Sequence, residues 1–371
     1  MINRKLFGGV YNGKKVLVTG NTGFKGSWLT TWLLSLGAEV YGISKDIPTK
    51  PSMYEELGLS DKITFFLEDI RNYERMKQII EQVSPDFLFH LAAQPIVSLS
   101  YREPLETLSS NVIGTANILE VLRHYKHTCT AIIITSDKCY DNVEWVWGYK
   151  ESDQLGGKDI YSGSKGAAEL VFKSYFHSFF KQPGHSVRVA TARAGNVIGG
   201  GDWALDRIIP DCMRSWSKGE VVEIRSPKAT RPWQHVLEPL SGYLQLGAEL
   251  SRHAELNGES FNFGPQAEYS HSVQEILEQM SERWHFDNSK KAYIVTGNVK
   301  FHEAGLLKLN CDKALYYFRW HPTLDYQTLL EYTGDWYYEF YNNNSDMFLY
   351  TQKQIDGYVQ LAIKKNIQWT K

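Results

Sequence analysis

The stretch KVLVTGNTGFKG, from Lys15 to Gly26, decides the fold of this chain. Lys15 to Thr19 predicts a short buried strand, and Gly26 to Leu36 predicts a helix whose apolar residues share one face. Three glycines at the spacing GxxGxxG connect the two elements: Gly20, Gly23 and Gly26. Glycines let the backbone approach a pyrophosphate closely, and the free N–H groups at the start of a helix point at the anion. The stretch therefore favours dinucleotide binding over the alternative, a glycine-rich turn without a ligand.

The alternation of strands and helices continues as far as Asn196. Strands are predicted at Ala38–Ile43, Ile63–Leu67, Phe87–His90, Ala131–Thr135 and Ser186–Ala194, and helices at Arg75–Val83, Asn111–His124 and Tyr161–Phe180. This pattern predicts an α/β fold with a doubly wound parallel sheet of the Rossmann type. Beyond Asn196 the alternation ends, and helices are predicted at Val273–Trp284 and Thr328–Tyr341. We predict a dinucleotide-binding domain at residues 1–196, to which later segments can return, and a smaller mixed α/β lobe mainly within residues 197–371.

The composition excludes several classes of protein. The formal net charge of -2 provides no broad basic field for nucleic acid or an anionic membrane. No apolar stretch reaches the roughly 20 residues of a membrane span, and the N-terminus does not resemble a secretion signal. The cysteines lie far apart without zinc-ligand spacing, which indicates reduced thiols and no metal site: Cys129, Cys139, Cys212 and Cys311. We expect a cytoplasmic protein that binds neither nucleic acid nor membrane.

Two groups of polar residues are candidates for catalysis. Tyr161 and Lys165 lie four residues apart, so their side chains share one face of the predicted helix. A lysine beside a tyrosine stabilises the phenolate and lowers the pKa of the phenol toward the range of a general base. Ser136, Asp137 and Lys138 directly follow a predicted strand, where side chains of doubly wound sheets line the ligand crevice. The alternatives are a chance YxxxK pattern on a surface helix and an exposed turn with two solvated charges.

Ser44 occupies the position that contacts the adenosine ribose in dinucleotide-binding folds. In many dinucleotide-binding folds an acidic side chain about 20 residues after the glycine motif accepts a hydrogen bond from the ribose 2′-hydroxyl of NAD. Here Ser44 neither repels nor strongly pairs with a 2′-phosphate, and the next residue, Lys45, can favour one. These residues by themselves leave NAD and NADP both open.

Several segments together resemble one family. They are Thr19–Gly26, His90–Gln94, Asn111–Thr115, Ser136–Lys138, the pair Tyr161 and Lys165, and Arg193–Gly201. With them the chain resembles the extended short-chain dehydrogenase/reductases over nearly its whole length. Within that family, Asp137 followed by Lys138 resembles the branch of CDP-D-glucose 4,6-dehydratases, because the related dTDP-glucose enzymes typically carry glutamate in place of the lysine.

The resemblance implies a lyase that uses tightly bound NAD to convert CDP-D-glucose to CDP-4-keto-6-deoxy-D-glucose for deoxysugar or O-antigen biosynthesis. Tyr161, supported by Ser136 and Lys165, would take the proton of the 4-hydroxyl while hydride leaves C4. Lys138 would then take the C5 proton as Asp137 protonates the departing 6-hydroxyl, and the hydride would return to C6. An ammonium is a poor base unless burial or nearby positive charge favours its neutral form. Lys165 and an oxidised nicotinamide are candidate sources of that charge.

The resemblance also implies the binding residues. Those of the cofactor site are Gly20, Thr22, Gly23, Phe24, Lys25, Gly26, Ser44, Asp69, Ile70, Leu91, Ala92, Ala93, Asn111, Tyr161 and Lys165. Those of the substrate site are Gln94, Asn196, Arg207 and Arg231. Gln94 and Arg207 are equally open to a structural role. Relatives assemble as homodimers or homotetramers through helices that include the one with Tyr161.

Two other functions are compatible with parts of this pattern. A nucleotide-sugar 4-epimerase uses the same tyrosine and lysine to oxidise C4 but needs no base at C5, so Asp137 and Lys138 favour the dehydratase. A non-catalytic regulator that binds a dinucleotide would have no need of the Tyr161 and Lys165 pair.

Overall fold

The computed structural model of the protein describes residues 4–224, 226–265, 271–282, 284, 292–296 and 306–371. The strands are β1 Lys15–Thr19, β2 Glu39–Ser44, β3 Thr64–Leu67, β4 Phe87–His90, β5 Cys129–Ile134, β6 Val187–Ala194, β7 Val197–Ile198, β8 Val222–Ile224, β9 Thr230–Arg231, β10 Gln234–His235, β11 Ser260–Phe263, β12 His271–Ser272 and β13 Tyr293–Val295. The helices are α1 Phe24–Ser35, α2 Met53–Glu56, α3 Tyr73–Val83, α4 Val97–Arg102, α5 Pro104–Leu108, α6 Gly114–His124, α7 Ile160–Tyr175, α8 Ile208–Trp216, α9 Leu237–Arg252, α10 Val273–Glu282, α11 Asp312–Phe318, α12 Tyr326–Asn342 and α13 Met347–Lys364.

Seven strands form one parallel sheet in the order β11-β6-β5-β4-β1-β2-β3. The chain runs outward from β1 to β3 and then returns to the other side of β1 with β4, so the strand order reverses between β1 and β4. Ligands of such sheets bind outside the carboxyl ends of the strands at this reversal. The predicted doubly wound α/β fold is confirmed.

The sheet has a hydrophobic core on each face because successive side chains of a strand point to opposite sides. In β1, Val16 and Val18 belong to one core, whereas Leu17 belongs to the other. The second core packs α3 and α6 against the sheet, and the first packs α1, α9 and α13. A strand buried on both faces is a continuous apolar run, which explains why the bounds predicted for β1 and β4 agree with the structure.

Residues after 196 contribute both to the large sheet and to smaller ones. The strand β11 pairs in parallel with β6 at the edge of the large sheet. Three two-stranded sheets pair β7 with β10, β8 with β13 and β9 with β12. The segment from α9 to β11 therefore lies with the dinucleotide fold, although it follows the predicted boundary in sequence.

Two of the predicted helices are extended by π-helical turns in the structure. The helix predicted to begin at Asn111 begins as a π-helical turn, Ser109–Ile113, before α6. The helix predicted to continue to Phe180 ends as α7 at Tyr175 and continues as a π-helical turn, Phe176–Phe180. The wider turns change the phase of the side chains, which an unbroken period of 3.6 residues does not anticipate.

The long helices α9 and α13 are absent from the sequence-based prediction. Helix α9 contains Pro239, Gly242 and Gly247, residues of low helix propensity, so its sequence does not indicate a helix. Helix α13 packs against α1, where Tyr358 meets the ring of Trp32 at a centroid distance of 5.7 Å and Trp369 meets it at 5.8 Å. Much of the tryptophan in the sequence thus lies in the core.

Candidate active site

The glycine turn between β1 and α1 is shaped by close backbone contacts. Gly20 has φ +76°, and a Cβ there would lie 2.8 Å from the backbone nitrogen of Ala92. A Cβ on Gly26 would lie 2.1 Å from the carbonyl oxygen of Gly20. At Gly23 the nearest atom would be 3.4 Å away, an ordinary contact. The outer glycines are therefore required by packing, whereas Gly23 lies on the open side of the turn.

The first turn of α1 lies at the open side of the glycine turn. Its N-cap is Gly23, and among the described residues no side chain caps it and no acidic residue lies in its first turn. The N–H groups of Phe24 and Lys25 lie in this turn, where the positive end of the helix favours an anion. This arrangement fits the pyrophosphate of a dinucleotide.

Lys25 places an ammonium beside the catalytic candidates. Burial and, after it, the positive charges of Arg207 and Lys165 lower its pKa to about 7, although the negative charge of Asp137 opposes them. A cation in the first helical turn is unfavourable for the helix itself. The sequence identified Lys25 only through the glycine motif, and its side chain is a further element of the site.

Ser44 is already engaged within the protein. Its hydroxyl donates to Oδ1 of Asn21 at 2.9 Å and accepts from the backbone N–H of Thr22 at 3.3 Å. The Thr22 hydroxyl in turn donates to the carbonyl oxygen of Asp46 at 2.7 Å. Ser44 therefore fixes the glycine turn against the end of β2, and its predicted contact with the cofactor stays a prediction.

The loop Leu91–Ala93, after β4, lies directly against the glycine turn. The hydroxyl of Thr19 accepts from the backbone N–H of Ala92 at 3.2 Å and lies 2.8 Å from Nδ1 of His90. The other ring nitrogen of His90 lies 3.2 Å from the Thr115 hydroxyl. Burial lowers the pKa of His90 to about 3, with a contribution from Lys165. A neutral histidine thus joins β1, β4 and α6, a role that the sequence analysis did not assign.

Asn111 connects this loop to the catalytic helix. Its Oδ1 accepts from the backbone N–H of Gln94 at 2.7 Å, and its Nδ2 donates to the Ser164 hydroxyl at 2.8 Å. The amide of Gln94 donates to the Ile96 carbonyl at 3.0 Å and to the Thr107 hydroxyl at 2.8 Å, while its oxygen accepts from the Ile96 N–H at 2.5 Å. These bonds favour the structural alternative for Gln94.

Asp69 and Ile70 follow β3 at the side of the sheet expected for the adenosine. The Asp69 carboxylate accepts from Nε of Arg71 at 3.0 Å. The side chain of Ile70 leaves no room for a Cβ at Gly114, and its carbonyl accepts from Asn117 at 3.1 Å. Both residues therefore lie in a fixed corner beside α6.

Tyr161 and Lys165 lie together, as their spacing predicts. Tyr161 is buried, and the Lys165 ammonium lies 5.9 Å from the centroid of its ring. Burial lowers the pKa of Lys165 to about 8. Burial also raises the pKa of Tyr161 to about 12, although the nearby Ser136 hydroxyl lowers it. The expectation that the lysine would bring the phenol toward the working range is therefore wrong for the chain by itself, because burial dominates.

The turn Ser136–Lys138 packs against α7. The Ser136 hydroxyl donates to Asp137 Oδ1 at 2.9 Å and accepts from the Lys138 N–H at 3.2 Å. A Cβ on Gly166 of α7 would lie 3.2 Å from the Cys139 carbonyl oxygen. The strand end thus carries the turn to the helix that bears Tyr161.

Asp137 and Lys138 differ in their surroundings. Asp137 is 4% exposed, and burial raises the pKa of its carboxyl even though Lys138, Ser136 and Lys25 lower it. A raised pKa favours the protonated carboxyl. Lys138 is partly exposed. Its backbone N–H donates to Ser136, but its side-chain amine forms no hydrogen bond or ion pair with the described part of the chain. Its amine is therefore available to a ligand next to a buried carboxyl.

A buried ion pair lies behind these residues. Glu169, eight residues after Tyr161 on the same face of α7, pairs with Arg193 of β6 at 2.8 Å, and both side chains are fully buried. Arg193 also donates to the Tyr140 hydroxyl at 2.8 Å, and Glu169 accepts from Thr135 at 2.5 Å. The network joins α7, β5 and β6. The sequence could have indicated Glu169, because Tyr161, Lys165 and Glu169 have the spacing i, i+4, i+8 on one helix face. It could not have indicated that Arg193 is the partner of Glu169.

The remaining substrate candidates lie in different places. Arg207 pairs with Asp202 at 2.8 Å. It also lies close enough to Tyr161 and Lys25 for its positive charge to lower the pKa of both. Asn196 lies between β6 and β7, at the carboxyl edge of the large sheet. Arg231 lies in β9 of a small sheet, opposite His271. The charge of Arg207 thus reaches the catalytic candidate Tyr161, and the substrate roles of all three stay predictions.

The part of the chain that the structure describes contains no group of three or more His, Cys, Asp or Glu side chains that could hold a metal ion. It contains no helix with the length and apolar character needed to cross a bilayer.

The fold and this site define a Rossmann-type protein with a tyrosine and lysine pair beside a dinucleotide turn. The family model described as GDP-mannose 4,6 dehydratase matches residues 17–333, and the chain belongs to this family. It is 44% identical to a CDP-glucose 4,6-dehydratase of Salmonella typhimurium over 357 residues, which covers 95% of this chain and 98% of that one. The predicted family resemblance is confirmed.

Solved structures agree with the fold. A dTDP-glucose 4,6-dehydratase of Streptomyces venezuelae, solved with NAD bound, gives a TM-score of 0.73 at 20% identity and covers 88% of this chain and 97% of that chain. A UDP-glucose 4-epimerase of Thermotoga maritima gives 0.74 at 21% identity and covers 88% of this chain and 99% of that chain. Because dehydratases and epimerases share this architecture, the likeness establishes the fold and not the reaction.

Proposed function

We propose that this protein is an NAD-dependent CDP-glucose 4,6-dehydratase, which converts CDP-D-glucose to CDP-4-keto-6-deoxy-D-glucose. The observation that carries the proposal is the turn after β5, where buried Asp137, with a raised pKa, stands beside the unpaired amine of Lys138. The relative from Salmonella typhimurium supports the same reaction and nucleotide. Deoxysugar biosynthesis follows as the pathway that uses the product.

The residues present fit a bound NAD. Gly20 and Gly26 shape the turn, and the uncapped start of α1 offers N–H groups to the pyrophosphate. Asp69 and Ile70 lie at the adenosine side, and Leu91–Ala93 lie beside the turn. NAD held there would provide an acceptor for the C4 hydride and a donor of hydride to C6, so the reaction would need no external oxidant.

Tyr161 is the proton acceptor for the 4-hydroxyl in this proposal. Its buried phenol needs compensation because burial raises its pKa to about 12. The Ser136 hydroxyl and the positive charge of Arg207 already lower the pKa, and Lys165 can stabilise the phenolate from the same helix face. Removal of this proton, together with loss of the C4 hydride to the acceptor that a bound NAD would provide, leaves a 4-keto group, which acidifies the hydrogen at C5.

The turn after β5 then removes water across C5 and C6. The side-chain nitrogen of Lys138 takes the C5 proton, the electron pair forms the C5–C6 double bond, and the 6-hydroxyl leaves. Asp137 gives its proton to that hydroxyl, so water departs and the carboxylate remains. Burial favours the protonated carboxyl needed for this step. Hydride added at C6 and a proton added at C5 complete the 6-deoxy product.

Mass analysis of the product tests this reaction directly. Purified protein is incubated separately with CDP-glucose, UDP-glucose and dTDP-glucose. We expect a product lighter by one water, formed fastest from CDP-glucose. A product of unchanged mass with inverted C4 would establish the 4-epimerase instead, and bound dinucleotide without turnover of any sugar would establish the regulator.

We further propose that two copies of the chain associate through α5 and α7. Large apolar side chains are exposed on these helices: Leu105 of α5 is 79% exposed and Leu170 of α7 is 55% exposed. Ile113, in the π-helical turn after α5, is 53% exposed. Exposed apolar side chains on neighbouring helices are typical of a protein interface. Phe180, in contrast, is buried in the core of its own chain.

A cytoplasmic location stays a prediction.

Changing Leu170 to glutamate tests this interface. A charge at the centre of an apolar contact costs desolvation on association, so Leu170→Glu is expected to shift the protein to the monomer in light scattering after size exclusion. Leu349→Glu is the matched control, because Leu349 is 60% exposed on α13. If both variants keep the oligomeric state of the unmodified protein, the contact lies elsewhere.

A further inference from the structure

Two cations lie at the side of the sheet where a Rossmann fold holds the adenosine ribose. Lys45 directly follows β2, and Arg71 follows β3. In folds of this kind the end of the second strand reads the ribose 2′ position, with a carboxylate for the hydroxyl of NAD or an arginine for the phosphate of NADP. Two cations without a nearby carboxylate would favour NADP.

Glu106, on α5, binds both cations. Its Oε1 lies 2.8 Å from the Lys45 ammonium, and its Oε2 accepts from Nη1 of Arg71. The Ser110 hydroxyl donates to Oε1 at 3.4 Å. A residue of α5 thus reaches across to the ends of β2 and β3, 61 and 35 positions away in sequence.

Arg71 is also held from its other side. Nη2 pairs with Asp69 Oδ2 at 2.5 Å, and Nη1 donates to the Ser109 hydroxyl at 3.2 Å. The positive charge of Lys45 reaches Asp69 as well, because it contributes to lowering the pKa of that carboxyl. The group therefore contains two positive and two negative side chains in one network.

The network leaves little positive potential for a 2′-phosphate. Such a phosphate carries about -1.5 to -2 charges near neutral pH and needs free cations. Ser44 cannot supply a carboxylate at this position, and its hydroxyl is engaged with Asn21 and Thr22. Hydrogen bonds from Lys45 and Arg71 lower the pKa of Glu106, so it remains ionised at neutral pH.

We propose that Glu106 determines the preference of this protein for NAD over NADP, by occupying Lys45 and Arg71 and by placing its negative charge at the ribose rim. It substitutes from α5 for the acid that the end of β2 lacks. This inference rests on the proposed function only in requiring a nicotinamide dinucleotide at the glycine turn.

Titration of the protein, freed of bound nucleotide, with NAD+ and with NADP+ tests the role of Glu106. Calorimetry gives the dissociation constant of each, and the ratio of the two constants isolates the 2′ position. In Glu106→Gln the ratio is expected to move toward NADP+ by roughly tenfold or more, because a phosphate gains charge-assisted hydrogen bonds to the released cations. The double variant Glu106→Gln/Lys45→Ala is expected to lose most of that gain.

Controls separate this effect from a general change of charge. Glu120→Gln removes an equally exposed carboxylate, which pairs with Arg123 on α6 at 3.1 Å, and is expected to leave the ratio unchanged. Glu106→Ser removes the same charge with a smaller side chain, so the result does not depend on one variant folding. Melting curves and circular dichroism of each variant establish that it is folded.

The outcomes distinguish this inference from the proposed function. If the unmodified protein binds neither dinucleotide, the proposed function fails. If it binds NAD+ preferentially but neither Glu106 variant changes the ratio, or if Glu120→Gln changes it equally, the role of Glu106 is refuted while the function stands. A preference of the unmodified protein for NADP+ would also refute it.

Discussion

Replacing Tyr161 by phenylalanine is expected to lower kcat for CDP-glucose by about a thousandfold, within the range typical of a lost general acid or base. The change removes the oxygen that takes the proton of the 4-hydroxyl. The ring stays in place, so the hydrophobic contacts of the buried side chain are kept. Steady-state kinetics of product formation measure the effect, and KM is expected to change little because the substrate diphosphate does not depend on the phenol.

Tyr54→Phe provides the matched control for this substitution. Tyr54 is 3% exposed, and its hydroxyl has no hydrogen-bond partner among the described residues. The same deletion there is expected to leave kcat unchanged. Retention of more than about a tenth of the activity by Tyr161→Phe would exclude Tyr161 as the essential base.

Replacing Lys138 by alanine is expected to separate the two halves of the reaction. The turn retains Asp137 and Ser136, and Tyr161 is untouched, so oxidation at C4 remains measurable through the absorbance of the reduced cofactor. Loss of water is expected to fall by roughly a hundredfold to ten-thousandfold because no amine remains to take the C5 proton. Mass analysis of the sugar nucleotide follows the second half.

The assignment of Lys138 as the C5 base depends on the difference between two measurements, the rate of C4 oxidation and the rate of water loss. Lys158→Ala, a change on the exposed loop before α7, controls for the loss of a positive charge near the site. Equal loss of C4 oxidation and of dehydration in Lys138→Ala would indicate a positioning or binding role for Lys138 and would leave the elimination without a base.

The sequence predicts the sheet better than it predicts the contacts of individual side chains. The bounds of β1 and β4 agree because both are short apolar runs, and the buried run determines the strand. Helix α9 could not be predicted in the same way, because its Pro239, Gly242 and Gly247 have low helix propensity. The π-helical turns before α6 and after α7 depart from the period of 3.6 residues on which the helix prediction rests.

The candidate site divides in the same manner. The sequence predicts that Ser136 lies at the ligand crevice, because this residue follows a strand. It also predicts that Tyr161 and Lys165 share one face of a helix, because they are four residues apart. The pairing of Glu106 with Lys45 joins residues 61 positions apart, and no local pattern reports it. The sequence predicts a lowered pKa for Tyr161 because it shows the neighbouring lysine. It does not show how deeply the phenol is buried, and burial raises the pKa.

The ion pair of Glu169 and Arg193 has a consequence for the conditions under which the site keeps its alignment. Dissolved ions weaken attraction between charges that water can reach, with a Debye length of about 8 Å at physiological ionic strength. Neither member of this pair has any exposed side-chain surface. The position of the catalytic helix against the sheet should therefore be insensitive to ionic strength, so that an inhibition by added salt would reflect competition for the pyrophosphate or the sugar nucleotide.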